Sequence, residues 1–333
     1  MSQGTPWKID ERDFPASSGL DEQARFLVGY AVLAPSSHNT QPWRFTVDGP
    51  VVELAAEPER WLRIADRDQR ELHISLGCAL ENLLIAAEHF GLTHATEYFP
   101  DPQRPEIVAR VRLGPAGETS PAPRPPELFT SILERHTNRL HFEPEPVPAE
   151  ALDRLREVGS DEGIRLFLTS EPEVKEWIER LIVDADERRF ADPEWRAELA
   201  EWVGRGAFGD PWPVAKLSQL VVRSFDLGRS TGAKDAHTFQ SSPIFGLFAS
   251  LEDTRENQVR VGQAFERIYL LAESLGLALQ PLSALLERPE PKTVLKGILG
   301  LGSGVPQQPF RLGFGPRLSR HAPRRPAEEV LTN

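Results

Sequence analysis

Ala34-Pro-Ser-Ser-His-Asn-Thr-Gln-Pro-Trp-Arg-Phe45 is the most informative stretch of the chain. Pro35 predicts that the preceding helix ends at Ala34, because the residue before a proline avoids helical geometry. Residues 36–40 carry short polar side chains, which favour turns and helix caps over regular structure. The aromatic and β-branched run that begins at Trp43 predicts a strand. A loop of this kind leaves N–H groups and hydroxyls free, so it is suited to hold a polar heterocycle; the alternative is a polar turn that only caps the strand.

The pattern Ala-Pro-Ser-Ser-x-Asn-x-Gln-Pro-Trp resembles a motif of the FMN-dependent nitroreductase superfamily, and the central His-Asn-Thr resembles its Acg-like branch. The motif spans ten positions with little degeneracy. The resemblance implies that the loop binds FMN through Pro35, Ser36, Ser37, Asn39 and Gln41.

Residues 68–92 can be aligned with residues 253–277 at a constant offset of 185 residues, with ten identities and no gap. Both segments have apolar residues at three-to-four spacing, which predicts two amphipathic helices. Gly91 and Gly276 stand where a glycine commonly ends a helix. The identities include Asp, Arg and Glu positions, which favours a duplicated domain over two unrelated amphipathic helices.

Residues 135–139, Arg-His-Thr-Asn-Arg, place two guanidinium groups and a hydroxyl within five positions. This set suits a phosphate, which arginine binds through two parallel hydrogen bonds; the alternative is a solvated helix end. The segment also resembles the Arg-x-Ser/Thr-x-Arg motif of the superfamily. The resemblance implies that Arg135, Thr137 and Arg139 hold the FMN phosphate.

Two later segments enter the predicted site through the same resemblance. Pro281, Leu282 and Ser283 align with the segment whose backbone approaches flavin N5 in the family. Arg324 and Arg325 resemble the basic tail that reaches the FMN phosphate, although an ordinary basic tail has the same composition. Trp195, Trp202, Phe208 and Trp212 are candidates either for stacking on a ligand or for the core.

The resemblance implies an α+β fold with two tandem nitroreductase-like copies, each a mixed, mainly antiparallel sheet flanked by helices. We predict a first half at residues 1–114, a proline-rich linker at 115–126 and a second half at 127–333. An insertion at about 204–242 has no counterpart in the first half, and it suits a lid or a packing surface. The first half lacks a convincing Arg motif and the second lacks a Pro-Ser-Ser loop. The resemblance therefore implies a monomeric pseudo-dimer with at most one FMN.

Composition excludes several classes of function. The charges sum to 38 minus 50, or −12, which does not suit nucleic acid or an anionic membrane. No apolar run approaches the roughly 20 residues that span a bilayer, and we expect a cytoplasmic protein. Cys78 is the only cysteine, and we expect a core residue rather than a reactive thiol. The histidines have no metal-ligand spacing, so no metal site is predicted.

The activity implied by the resemblance is that of an FMN-dependent oxidoreductase of the nitroreductase type. Such an enzyme passes hydride from NADH or NADPH through FMN to a nitroaromatic, a quinone or a similar small acceptor. The flavin supplies the chemistry, so no side chain is assigned a catalytic role. The alternatives are a protein that binds or sequesters flavin with little turnover, and a chain that has lost FMN binding.

Overall fold

The structure, a computed structural model, describes residues 6–115 and 124–332. Most of the predicted linker at 115–126 therefore lies outside the described residues. The elements of the first half are α1 (Leu20–Ala31), β1 (Trp43–Asp48), β2 (Val51–Ala56), α2 (Arg70–His89), β3 (Thr93–Tyr98) and β4 (Ile107–Gly114). The strand predicted at Trp43 is confirmed, whereas α1 ends at Ala31, three residues earlier than the prediction from Pro35.

The second half contains more helices than the first. Its elements are α3 (Glu127–Glu134), α4 (Ala149–Val158), β5 (Ile164–Thr169), α5 (Pro172–Ala191), α6 (Pro193–Gly204), α7 (Trp212–Ser224), α8 (Gly228–Gln240), β6 (Ile244–Ser250), α9 (Arg255–Ser274), β7 (Ala278–Pro281), α10 (Pro289–Ile298), β8 (Val305–Gly313), α11 (Ala327–Val330) and β9 (Leu331–Thr332). Short 3₁₀ turns lie at Pro6–Lys8, Glu11–Asp13, Ser37–Asn39, Pro58–Arg60 and Ser283–Leu286.

The strands form two sheets, ordered β3-β4-β2-β1-β9 and β7-β8-β6-β5. Without β9 the two sheets have equivalent strand orders, and within each sheet all neighbouring strands of this order are antiparallel. Even the register irregularity recurs, at Leu54/Ala55 in β2 and at Phe248/Ala249 in β6. β9 is parallel to β1, so the first sheet is mixed; the second is antiparallel, which corrects the prediction of a mixed sheet in each half.

Helices α2 and α9 cross at the centre of the molecule, where α2 is almost wholly buried and α9 is mostly buried. A Cβ atom added to Gly77 would lie 2.1 Å from the Val259 carbonyl oxygen, and one added to Gly262 would lie 2.1 Å from the Ile74 carbonyl oxygen. Only glycine permits this approach. The predicted helices are confirmed within a few residues of their bounds, as are the left-handed glycines that follow them, Gly91 and Gly276.

Apolar side chains from both halves form one continuous core around α2 and α9. Cys78 belongs to this core, as predicted; it is buried, and its Sγ donates to the Gly262 carbonyl at 3.3 Å. Burial raises the pKa of its thiol well above the ordinary value. In residues 6–115 and 124–332, no helix is both long and apolar enough to span a bilayer.

The connection between β5 and β6 is where the halves differ most. β1 and β2 are joined by a two-residue turn, Gly49 and Pro50, whereas helices α5 to α8 separate β5 from β6. The extra segment therefore begins near residue 172, well before the predicted 204. We call residues 172–240 the helical insertion. It has its own small core, in which Ile182 of α5 and Phe239 of α8 pack beside Phe245 of β6.

Candidate functional site

A cavity of about 370 Å³ lies between α2 and helices α5, α6 and α8 of the helical insertion. Its volume falls in the range of small-molecule sites, about 300–1,000 Å³. Segments far apart in the sequence meet at its wall: residues 35–38, residues 137–139 and residues 280–285. Eight of the predicted cofactor-binding residues line this cavity: Pro35, Ser36, Ser37, Thr137, Arg139, Pro281, Leu282 and Ser283.

The loop at residues 35–41 is held in an uncommon backbone conformation. His38, Asn39 and Gln41 all have positive φ, at 47°, 53° and 51°, a region that non-glycine residues rarely adopt and that often marks functional sites. Ser36 Oγ stabilises the turn by accepting a hydrogen bond from the Gln41 N–H at 2.9 Å. Ser37 Oγ donates to the Glu71 carboxylate, which places Ser37 against α2 at the cavity wall.

Residues 137–139 approach the cavity from the other half. Thr137 forms a bridge with Leu279 of β7, and its Oγ1 is hydrogen-bonded to the Tyr269 hydroxyl at 2.8 Å. Arg139 is exposed at the cavity, and its guanidinium donates to no protein group within the described part of the chain. Its donors are therefore available for an anion.

Arg135 lies away from the cavity lining, in the core between the halves. Its Nη2 donates to the Leu33 carbonyl at 3.0 Å, and its Nε lies 3.6 Å from the Glu266 carboxylate. The guanidinium also lies over the Tyr269 ring, 4.8 Å from the centroid. These contacts join the halves, and the predicted role of Arg135 at a phosphate is not supported by its position.

Arg324, Arg325, Asn39 and Gln41 also lie outside the cavity lining. Arg324 Nη1 donates to Asn39 Oδ1 at 2.9 Å, and Asn39 Nδ2 donates to the Ala207 carbonyl at 2.7 Å. Arg325 Nη1 donates to the Glu57 carboxylate at 2.6 Å, and its N–H donates to Gln41 Oε1 at 2.7 Å. These four side chains are therefore hydrogen-bonded to other protein groups, and they join the C-terminal tail and the helical insertion to the loop.

The prediction missed several residues of the cavity wall, among them Glu71, Asp186, Arg189 and Glu287. Glu71 belongs to the Asp-x-Arg-Glu sequence shared by the two aligned segments, so the repeat contained a signal for it. The other three lie in or beyond the helical insertion, where no motif marks them. Of the four candidate aromatic residues, Trp195 and Phe208 line the cavity, Trp202 is buried elsewhere and Trp212 is exposed to solvent.

Burial shifts the pKa values of three cavity groups. Desolvation, helped by Arg189 and Arg139, lowers the pKa of His38 to about 3, so its imidazole is neutral at pH 7. Desolvation raises the pKa of Glu287 to about 8, against the opposing charge of Arg189. It raises the pKa of Asp186 to about 6. The wall therefore has a neutral imidazole and a protonated carboxyl group at neutral pH.

Known proteins similar to this chain include two from Mycobacterium tuberculosis. One, named "Putative NAD(P)H nitroreductase Rv3131", is 27% identical over 316 residues, which cover 93% of this chain and 90% of that protein. Another, named "Putative NAD(P)H nitroreductase acg", is 26% identical over 314 residues, which cover 91% of this chain and 93% of that protein. The chain is therefore similar to Acg-type proteins over most of its length.

Comparison with solved structures supports the fold. A structure described as "a putative nitroreductase" from Anabaena variabilis has a TM-score of 0.50 and 10% identity, and the match covers 80% of this chain and 69% of that one. The sequence model of the nitroreductase family matches residues 132–313, more than half of the chain. The protein thus belongs to the nitroreductase family, as residues 34–45 predicted.

Proposed function

We propose that the chain is an FMN-dependent oxidoreductase that uses NADH or NADPH to reduce a nitroaromatic, a quinone or a similar acceptor. The observation that carries the proposal is the meeting of residues 35–37, 137–139 and 281–283 at one cavity. These are the segments that the family resemblance assigns to the flavin.

The lining suits a flavin. Ile74, Phe265 and Leu282 offer apolar surface for a planar ring, while Ser36 and Ser37 offer hydroxyls for its polar edge. Several polar atoms at the wall have no hydrogen-bond partner, among them His38 Nδ1 and Arg189 Nε. Buried polar groups rarely stay unpaired, so these atoms favour a polar ligand. Arg139 is the proposed phosphate contact, with Thr137 beside it.

When bound, FMN supplies the two-electron chemistry that links a nicotinamide donor to the acceptor. The protein supplies position and environment. Trp195 and Phe208 of the helical insertion cover the cavity and exclude water. Glu287, whose pKa is raised to about 8, holds a proton on its carboxyl group near neutral pH, and its Oε2 accepts from Trp195 Nε1 at 3.0 Å.

We propose further that the chain is a duplicated domain: residues 1–114 and 127–333 are the two copies, joined by the linker at 115–126. The equivalent strand orders and the recurring register irregularity support this proposal. The helix crossing supports it as well, because the Gly77–Val259 contact and the Ile74–Gly262 contact exchange under the 185-residue offset. Reciprocal contacts of this kind are what a two-fold axis produces.

The same offset supports a single cofactor per chain. Ser283 and Ala284 at the cavity correspond to Tyr98 and Phe99 in the first half. The Tyr98 hydroxyl donates to Gln263 Oε1 at 2.7 Å, and the Arg255 guanidinium lies 4.6 Å from the centroid of the Phe99 ring. Aromatic side chains and their partners thus fill the position equivalent to the cavity. One FMN and a monomeric pseudo-dimer are the expected composition.

A visible absorption spectrum of the purified chain, before and after addition of FMN, tests the proposal. We expect about one tightly bound flavin per chain, consistent with one pocket of suitable size. Anaerobic addition of NADPH or NADH should then bleach the flavin band. A chain that retains no flavin after incubation with FMN would refute the proposal.

One observation favours the second candidate, a protein that sequesters flavin. Two groups hold the helical insertion closed: Asn39 Nδ2 bonds the Ala207 carbonyl, and the Glu198 carboxylate accepts from the Ala65 N–H at 2.9 Å. If the closed insertion blocks the nicotinamide, flavin bound to the wild type will not bleach. The double variant Asn39→Ala, Glu198→Gln should then gain bleaching. Fast bleaching in the wild type excludes sequestration.

A further inference from the structure

Three carboxylates converge on one guanidinium at the cavity wall. Arg189 Nη2 lies 2.5 Å from Asp186 Oδ1 and 3.9 Å from Asp235 Oδ2, and Arg189 Nη1 lies 3.8 Å from Glu287 Oε1. Asp186 and Arg189 are on α5 and Asp235 is on α8, while Glu287 follows the 3₁₀ turn Ser283–Leu286. We call Asp186, Asp235 and Glu287 the carboxylate cluster.

The charges of the cluster do not balance. With Glu287 protonated near neutral pH, Asp186 and Asp235 still carry two negative charges against the single positive charge of Arg189. Lys234 also lines the cavity, but it is exposed, and it forms no ion pair within residues 6–115 and 124–332. Uncompensated carboxylates in a desolvated wall are costly, because burial disfavours the charged form.

One oxygen of the cluster has no donor. Asp186 is only 1% exposed and lines the cavity, and its Oδ2 has no hydrogen-bond partner in the described chain. Its other oxygen is used by Arg189. An ionised carboxylate can only accept hydrogen bonds, so a complete site requires a further donor at Oδ2. A donor that also carries positive charge would correct the charge imbalance at the same time.

The surroundings indicate what carries this donor. Phe190, Trp195 and Phe208 line the cavity beside the cluster, and aromatic walls favour a planar apolar body and also attract cations. Within the described residues, no group of three or more His, Cys, Asp or Glu side chains is arranged to hold a metal ion. An organic cation therefore fits this wall better than a metal.

We propose that the carboxylate cluster binds the protonated amine of an aromatic ligand, so that the acceptor of the proposed oxidoreductase is an amine-bearing aromatic compound. The inference rests on the proposed function, because it assigns the part of the same cavity that belongs to the acceptor. The amine donates to Asp186 Oδ2, and Asp235 supplies the remaining negative charge. The aromatic ring lies against Trp195 and Phe208.

The test compares benzylamine with benzyl alcohol, two probes with the same ring and different charge. Titration calorimetry at pH 7 on the full chain loaded with FMN measures both affinities without any turnover. We expect benzylamine to bind about tenfold more tightly or better, the effect of one hydrogen-bonded charge pair in a desolvated site. Equal affinity, or no binding of benzylamine at millimolar concentration, would overturn the proposal.

Variants locate the effect. Asp186→Asn should reduce the preference for benzylamine to within about threefold of parity, because it removes the charge but keeps the shape. Asp184→Asn is the matched control: it lies on the same helix, but its exposed side chain pairs with Arg188. The control should keep the wild-type preference. If Asp186→Asn keeps it as well, the cluster does not bind the amine.

Two further measurements separate the failure modes. Thermal unfolding shows whether Asp186→Asn remains folded, and Asp235→Asn provides a second variant of the cluster in which part of the preference should be lost. The flavin absorbance of each sample reports the cofactor independently. A chain that binds FMN but shows no preference for the amine refutes this inference alone, whereas a chain that binds no FMN refutes the proposed function.

Discussion

Replacing Gly262 with alanine should destabilise the whole protein, because this residue lies where α9 touches α2. The added Cβ would lie 2.1 Å from the Ile74 carbonyl oxygen and 2.9 Å from the Gly77 Cα. Both obstacles are backbone atoms, so no side chain can rotate away. Since non-bonded heavy atoms prefer about 3.5 Å or more, the helices must separate by about 1 Å.

That separation disturbs the centre of the core, so the cost should be at the upper end of overpacking effects. We expect a loss of about 3 kcal/mol in the free energy of unfolding. The midpoint of thermal unfolding should then fall by about 6 °C, using about 2 °C per kcal/mol for a chain of this size. Because the contacts are reciprocal, Gly77→Ala should cost a similar amount, and the double variant should cost less than the sum.

Gly297→Ala is the matched control, because this glycine also lies in a helix, α10, but a Cβ there would meet nothing within 4 Å. Helix propensity alone predicts a gain of up to about 1 kcal/mol. Differential scanning calorimetry or chemical denaturation measures all four variants. A loss below about 1 kcal/mol for Gly262→Ala would show that the crossing is looser than the structure has it, and would refute the reasoning.

Two other predictions concern the cavity. Arg139→Gln should weaken FMN binding about tenfold or more, because it removes a charge-assisted contact to phosphate. The control Arg223→Gln, on the exposed surface of α7, should leave FMN binding unchanged. Equilibrium dialysis measures both affinities, and wild-type affinity for Arg139→Gln would contradict the proposed phosphate position. Glu287 has a folded-state pKa of about 8 against an ordinary value of 4.5, so its contribution to stability is fully present below pH 4.5 and is lost as the pH rises to about 8. As the pH rises from 4.5 to about 8, the free energy of unfolding of the flavin-free chain should therefore fall less for Glu287→Gln than for the wild type. Parallel plots of this free energy against pH would contradict the burial of Glu287.

The elements with strong local patterns were predictable from the sequence. The loop motif placed Ser36 and Ser37 at the cavity, and the 185-residue offset identified α2 and α9 within a few residues of their bounds. Both patterns are contiguous, so local propensity and helical spacing suffice to recognise them. The end of α1 was predicted less closely, because Pro35 limits a helix without fixing its last residue, and the helix ends at Ala31.

Features that depend on long-range partners were not predictable. The sequence of Arg324 and Arg325 indicates cationic groups, but only the fold shows that Asn39 and Glu57 accept their hydrogen bonds. Arg135 is a similar case, because the Leu33 carbonyl that it reaches is in the other half. A guanidinium can serve a phosphate or a carbonyl equally well, so residue type alone does not decide between them.

Under the proposed duplication, the difference between the equivalent positions of α2 and α9 explains why the described residues form a flavin-sized cavity at only one of the two sites. Ser75 and Cys78 on α2 are small and line the cavity, whereas the 185-residue offset places Arg260 and Gln263 at the equivalent positions of α9. The Arg260 guanidinium lies 5.5 Å from the centroid of the Tyr98 ring. Under the proposed duplication, larger side chains therefore fill the position equivalent to the cavity.

A filled position contributes packing and hydrogen bonds that an open site cannot contribute, because a cavity leaves its lining without contacts. In two separate identical chains such a change would close both sites, since symmetry copies every substitution. Within one chain the halves vary independently. The proposed fusion thus allows packed side chains to fill the site of the first half, while α2 and the loop at residues 35–41 complete the site of the second half.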